Sequence, residues 1–233
     1  MPLKHIGLSS CRQISNIGMA NLPKKSLTQL DIESCTKIRD EGILSLVGAP
    51  LRVLNMSNLP LITDAVAEYL VQMPLEQINL FLCRKFGDSG LLRLKDRPIA
   101  DLNLRCSQVS DEGLTHLPRT LRVLTIGDDV FWKCSATPRS PARITDEGMR
   151  RVAALPALEE LRVEGSLGVT DAGLSHLAAM TLRVVRLECP KLTDGGIAQL
   201  NHAKLRRLIL NGCDKISETF RASLIAQGIC VYH

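Results

Sequence analysis

The sequence predicts an α/β solenoid: a curved, parallel β-sheet along an inner face, helices along the outer face, and one short strand per coil. Three observations predict it. The pattern LxxLxL recurs in phase along the whole chain. A second pattern accompanies most copies: an apolar residue, Ser or Thr, Asp, and then Gly two residues on. Between the two stands a regularly placed cysteine.

The nine copies of the first pattern are Leu3-Ile6-Leu8, Leu27-Leu30-Ile32, Leu51-Leu54-Met56, Leu75-Ile78-Leu80, Ile99-Leu102-Leu104, Leu121-Leu124-Ile126, Leu158-Leu161-Val163, Leu182-Val185-Leu187 and Leu205-Leu208-Leu210. The first five begin 24 residues apart, and the spacings then become 22, 37, 24 and 23. Alternating apolar residues give a short strand one buried face. A single strand and helix cannot bury their apolar faces alone, so the units must stack. At about 4.8 Å per strand, nine strands trace an inner arc on the order of 40 Å.

The second half of each unit reads as a turn and a helix. Cys11, Cys35, Cys83 and Cys213 come three residues after the strand pattern, and Cys106 and Cys189 sit one step earlier. The Asp position holds Asp40, Asp64, Asp88, Asp111, Asp146, Asp171 and Asp194; the Gly position holds Gly18, Gly42, Gly90, Gly113, Gly148, Gly173 and Gly196. A segment such as TDAGLSHLAAM, 170–180, is expected to be helical. Its Thr and Asp are expected to cap the first N–H groups, and Gly to leave room where the helix start crowds the neighbouring coil. This bears on function. A carboxylate pair beside a hydroxyl, as in ITDEGM at 144–149, resembles acid–base machinery. Here it recurs along a solenoid instead of gathering in a pocket, so it reads as a capping device.

The combined pattern LxxLxLxxCxxITDxGLxxL resembles the cysteine-containing leucine-rich repeat. It is similar to the repeats of F-box/LRR substrate receptors and of their smaller F-box-less relatives. The resemblance runs from Leu3 to about Leu224 and implies a horseshoe that offers surface more than chemistry. It implies one leucine-rich-repeat domain over 1–233 with a loop insertion at about 128–143. It also implies a non-enzymatic scaffold or adaptor. An alternative is the substrate-recognition subunit of an SCF-type ubiquitin ligase, with Skp1 and cullin as partners, although no F-box precedes Leu3. A further alternative is a structural subunit of a large protein or ribonucleoprotein assembly.

Composition narrows these classes. Hydrophobic residues make up 45% and aromatics only 3%, so aliphatic side chains must build the core. A net charge of +5 permits an acidic partner without demanding nucleic acid. No apolar run approaches about 18 residues, so no membrane span is expected. Eight cysteines without a CxxC or zinc spacing point to a reducing compartment, cytoplasm or nucleus. The acid-free opening with Lys4, Arg12, Lys24 and Lys25 carries a faint mitochondrial-presequence character. No nucleophile–base pair, phosphate-binding loop, metal set or cofactor motif is found. His116 and His176 occupy equivalent places in two units and read as surface residues.

The concave face carries the candidate site. Residues between the second and third core positions point to it, and include Asn55, Asn79, Asn103, Arg162 and Arg186. The three asparagines are expected to form a ladder of amide donors and acceptors. The next column holds Phe81 and Arg105, expected to face solvent as anchors for a protein partner. Arg162 and Arg186 face Glu160, Glu164 and Glu188; the cluster either pairs across strands or meets a partner. The insertion DDVFWKCSATPRSPAR, 128–143, contains Phe131 and Trp132, which either cover an apolar rim or reach a partner. It also contains Thr137-Pro138 and Ser140-Pro141, candidate phosphorylation sites with Arg139 and Arg143 available to a phosphate. Cys134 lies there too. The first strand, with Leu3, Ile6 and Leu8, is expected to form an open edge that a partner or a further segment covers. Ile229 to Tyr232 are expected to add a short tenth strand.

Overall fold

The computed structural model describes residues 2–128 and 142–232. Ten strands lie side by side in chain order, each pair of neighbours parallel. They are β1 (His5–Gly7), β2 (Gln29–Asp31), β3 (Val53–Asn55), β4 (Gln77–Asn79), β5 (Asp101–Asn103), β6 (Val123–Ile126), β7 (Glu160–Val163), β8 (Val184–Leu187), β9 (Arg207–Leu210) and β10 (Cys230–Tyr232). Each LxxLxL copy supplies one strand, and β10 is the expected tenth. The middle apolar residues stack into one buried row: Leu30, Leu54, Ile78, Leu102, Leu124, Leu161, Val185 and Leu208. Leu124 pairs with Leu161 in the same register as its fellows, so the insertion leaves the ladder unbroken.

The outer segments are shorter than the sequence suggests. The helix expected over 170–180 spans only Asp171–His176. Asp64–Val66 and Gly113–His116 are 3₁₀ turns. The chain must return from each outer segment to the next strand, and apolar residues make that return: Leu177 and Met180 turn back into the core directly after the helix ends. The core is aliphatic as composition requires, with Phe86 the large exception, fully buried beside Gly90.

The Thr-Asp-x-Gly pattern acts between repeats. Thr63, Thr145, Thr170 and Thr193 each cap their own helical segment by accepting from the N–H two residues on. The aspartate, expected to help cap its own helix, instead reaches the next repeat. Asp146 accepts from the Thr170 backbone N–H at 2.7 Å and from its hydroxyl at 2.7 Å. Asp40 binds Thr63, Asp88 binds Ser110, Asp111 binds Thr145, Asp171 binds Thr193 and Asp194 binds Ser217 in the same two-bonded way. Glycine is needed for this reach: a Cβ at Gly173 would lie 2.4 Å from the Asp146 carboxylate. The motif is therefore a clasp between neighbouring repeats, and its carboxylates are consumed by structure.

The cysteines form a second inter-repeat device. The thiols of Cys35 and Cys83 donate to Leu8 and Met56 carbonyls in the preceding repeat, at 3.0 and 3.1 Å. Burial pushes the Cys83 thiol up to about 12 and raises Cys189 as well. Since the thiolate is the reactive form, these side chains are inert structural groups. Cys11, beside the open edge, is exposed. At that edge Leu3 is 54% exposed, whereas Ile6 and Leu8 are partly buried against the core. Among the described residues no helix is long and apolar enough to cross a membrane.

Candidate functional site

Strand alternation turns Asn55, Asn79 and Asn103 toward the concave side, in adjacent register on β3, β4 and β5. Each amide oxygen accepts the backbone N–H two residues on: Ser57 at 3.1 Å, Phe81 at 3.0 Å and Arg105 at 3.1 Å. Those N–H donors decide which way each amide faces. The turns after these strands are tight; Asn58, Leu82 and Cys106 hold positive φ there, as Ser34 does after β2. The Asn55 Nδ2 donates to Asp31 at 3.0 Å. Asn79 and Asn103 keep their amino groups without a protein acceptor among the described residues. The expected ladder of donors and acceptors is thus corrected: the acceptors brace the turns, and two neighbouring donors remain for a ligand.

Phe81 and Arg105 sit in those turns, one strand apart. The Arg105 guanidinium lies 5.5 Å from the Phe81 ring centroid, a cation–π contact. The expectation that Phe81 faces solvent is corrected: the ring is half-buried, partly covered by that guanidinium. Arg105 then crosses β6 to reach Glu164 at 2.7 Å and Glu188 at 3.7 Å. Gly127 occupies the intervening place in that column and offers no side chain to block the crossing. It also has φ +135, and a Cβ there would lie 1.8 Å from the Glu164 carbonyl oxygen, so only glycine fits. The Arg105 Nε is buried without a partner.

The Arg/Glu cluster is therefore continuous with the Phe81 site. Arg186 meets Glu164 at 3.2 Å, and Arg162 pairs with Glu160 at 2.6 Å on its own strand. Glu188, expected to face Arg162 and Arg186, is engaged by Arg105. Side-chain exposure of Arg105, Glu164 and Glu188 is 19%, 11% and 14%, so water screens this network poorly. Desolvation pushes the Glu188 carboxyl above its ordinary range, against the opposing pull of Arg105. Asp101, nearby on β5, is likewise raised by burial and lowered by Arg162. Sequence reasoning placed these residues in columns but missed the passage over Gly127, whose only signal was the single glycine of its column. Phe131, Trp132, Cys134, Thr137 and Ser140 lie outside the described residues.

Comparison with known proteins supports the repeat architecture. A leucine-rich-repeat family model matches residues 24–47. No curated protein matches the chain. Among solved structures, the crystal structure of the Rad7 and Elc1 complex in yeast is similar at 17% identity with a TM-score of 0.46, covering 93% of this chain and 71% of that chain. The TLR13–ssRNA13 complex is similar at 18% identity with a TM-score of 0.51, covering 99% of this chain and 35% of that one. This chain thus spans about a third of the TLR13 chain's length. At 18% identity the likeness to the TLR13 chain is one of fold.

Proposed function

We propose that this leucine-rich-repeat solenoid is a non-enzymatic scaffold or adaptor that binds a partner protein through its concave face. One observation carries the reading. Asn79 and Asn103 present amide donors on adjacent strands that are unpaired among the described residues, beside a Phe81 ring held by an arginine that is itself fixed by two glutamates. A half-buried aromatic, a rigid guanidinium and free donors are the groups that anchor protein interfaces. Their pre-ordering lowers the entropy a partner must overcome. The clasp aspartates and ladder thiols are tied up between repeats, so neither serves as general base or nucleophile.

The test is affinity purification of the tagged chain from its own cells, beside a Phe81→Ala/Arg105→Ala variant. The reading expects one stable set of proteins from the parent chain and its loss from the variant. A set that survives the substitution would move the contact elsewhere. Recovery of Skp1- and cullin-like proteins would select the ubiquitin-ligase role instead of a general adaptor.

A further inference from the structure

A second surface stands apart from the concave site. At the strand-entry rim of the later repeats, Arg122, Arg183, Lys204, Arg206 and Arg207 are all exposed. They precede or begin β6, β8 and β9. One acid stands among them: Glu159 lies 3.3 Å from Arg122 and 3.6 Å from Arg183. Lys204, Arg206 and Arg207 have no ion-pair partner among the described residues. Backbone bonds hold four of these residues in a stack, with Glu159 N–H donating to the Arg122 carbonyl, Arg183 N–H to that of Glu159, and Arg206 N–H to that of Arg183. Their side chains therefore rise at the strand spacing, about 4.8 Å per step. Five cations against the one acid, Glu159, give this corner a local charge of +4.

Arg183 and Arg206 stand one strand spacing apart with no acid between them, and like charges that close repel by about 1 kcal/mol even in water, a cost that a bound anion relieves. Glu159 answers only two of the five cations. Beside the stack runs a shallow cleft, lined by Arg122, Arg183 and Lys204, by Glu159, which Arg122 and Arg183 neutralise, and by Pro156, Ala157, Leu158 and Thr181. We propose that this corner docks an acidic segment of a partner protein. The guanidinium forks take its carboxylates, and the Pro156–Leu158 floor takes an apolar side chain between them. A nucleic-acid strand fits less well, because single strands bind by stacking on aromatic faces and none of the lining residues is aromatic.

The experiment is fluorescence anisotropy on the full chain with a fluorescein-labelled Asp- and Glu-rich peptide carrying one leucine. An RNA strand and a DNA duplex, similarly labelled, run beside it. Arg183→Glu/Arg206→Glu is expected to weaken peptide binding by more than about tenfold, and salt to weaken it further. Both positions are exposed, and matching circular dichroism and melting curves confirm folding. Glu159→Ala, which frees two guanidinium groups, is expected to tighten binding a few-fold. Phe81→Ala/Arg105→Ala should leave the peptide affinity unchanged, which separates this surface from the concave one. The proposal is overturned if the parent chain does not bind the peptide, if charge reversal leaves the affinity unaltered, or if either nucleic acid binds more tightly.

Discussion

The outer clasp and the inner turn are built by the same repeats, yet they behave differently along the chain. The clasp is nearly uniform. An aspartate holds the Thr or Ser of the next repeat at six junctions between Asp40 and Asp194, and Asp64 bonds only the Gly87 N–H, where that hydroxyl is missing. The inner turn changes at nearly every step, from Ser57 through Phe81, Arg105 and Gly127 to the two glutamates Glu164 and Glu188. Uniform chemistry answers a demand that every repeat shares, which is to join its neighbour. Variable chemistry on an equally regular frame answers something outside the frame. The Arg105 bridge blurs this division, since it joins the fifth repeat to the seventh and eighth, whereas solenoid contacts are ordinarily between neighbours.

The largest effect should come from breaking the clasp. Asp146→Ala removes two charge-assisted hydrogen bonds and leaves the Thr170 N–H unpaired, each bond being worth about 1.5–3 kcal/mol. A loss of about 3 kcal/mol is expected in urea unfolding, with faster amide exchange at Thr170. A loss below about 1 kcal/mol would show that the junction is held by apolar packing instead.

Next comes the bridge. Glu164→Ala strips Arg186 of its partner and Arg105 of the nearer of its two in a poorly hydrated place, and should cost about 2 kcal/mol, less than the roughly 3–5 kcal/mol for a fully buried pair. A double-mutant cycle with Arg105→Ala should return a coupling of at least about 0.5 kcal/mol. Strict additivity would reduce the bridge to a surface pairing and sharpen the contrast with the clasp.

The bridge also predicts a pH response. The Glu188 carboxyl is raised above its ordinary 4.5 in the folded protein, chiefly by desolvation. The folded state therefore holds that proton more tightly than the unfolded one. Its contribution is fully present below 4.5 and is lost as pH rises through the raised value. Glu188→Gln should flatten the stability–pH curve just above 4.5 relative to the parent. An unchanged slope there would place the proton uptake on another group, with Asp101 the next to test by Asp101→Asn.

The smallest effect concerns the turn backbone. Ser10 holds φ 62 in the first turn, is exposed, and is a non-glycine residue in a left-handed conformation. Ser10→Gly should raise stability by about 0.5–1 kcal/mol, measured as a higher urea midpoint. A decrease would mean that backbone freedom in the unfolded chain outweighs the relief.

Much of this was legible in the residues. The strand row, its register and the tenth strand follow from apolar period alone, because a one-residue slip would expose the whole row. The Asp and Gly positions were legible as well, but their partnership was not. Asp146 and Gly173 belong to different repeats, and a sequence read unit by unit assigns each to its own helix. Helix length was over-read at 170–180 because Leu177 and Met180 continue the apolar pattern while serving the return to the core. The asparagine amides were read as a ladder of donors and acceptors because a strand pattern does not show the N–H groups of the turn behind it.

By itself the sequence determined the architecture of this protein, since nine in-phase copies of one apolar pattern admit no other way to bury their strands. Tertiary structure alone decided three things: which carboxylates are spent, which donors stay open, and where charge collects. Asp146 is spent because stacking carries it to the next repeat's N–H. Arg105 is fixed because Gly127 clears its path. The cations at 122, 183 and 206 become one surface because the parallel ladder sets residues far apart in sequence within a few strand spacings of each other.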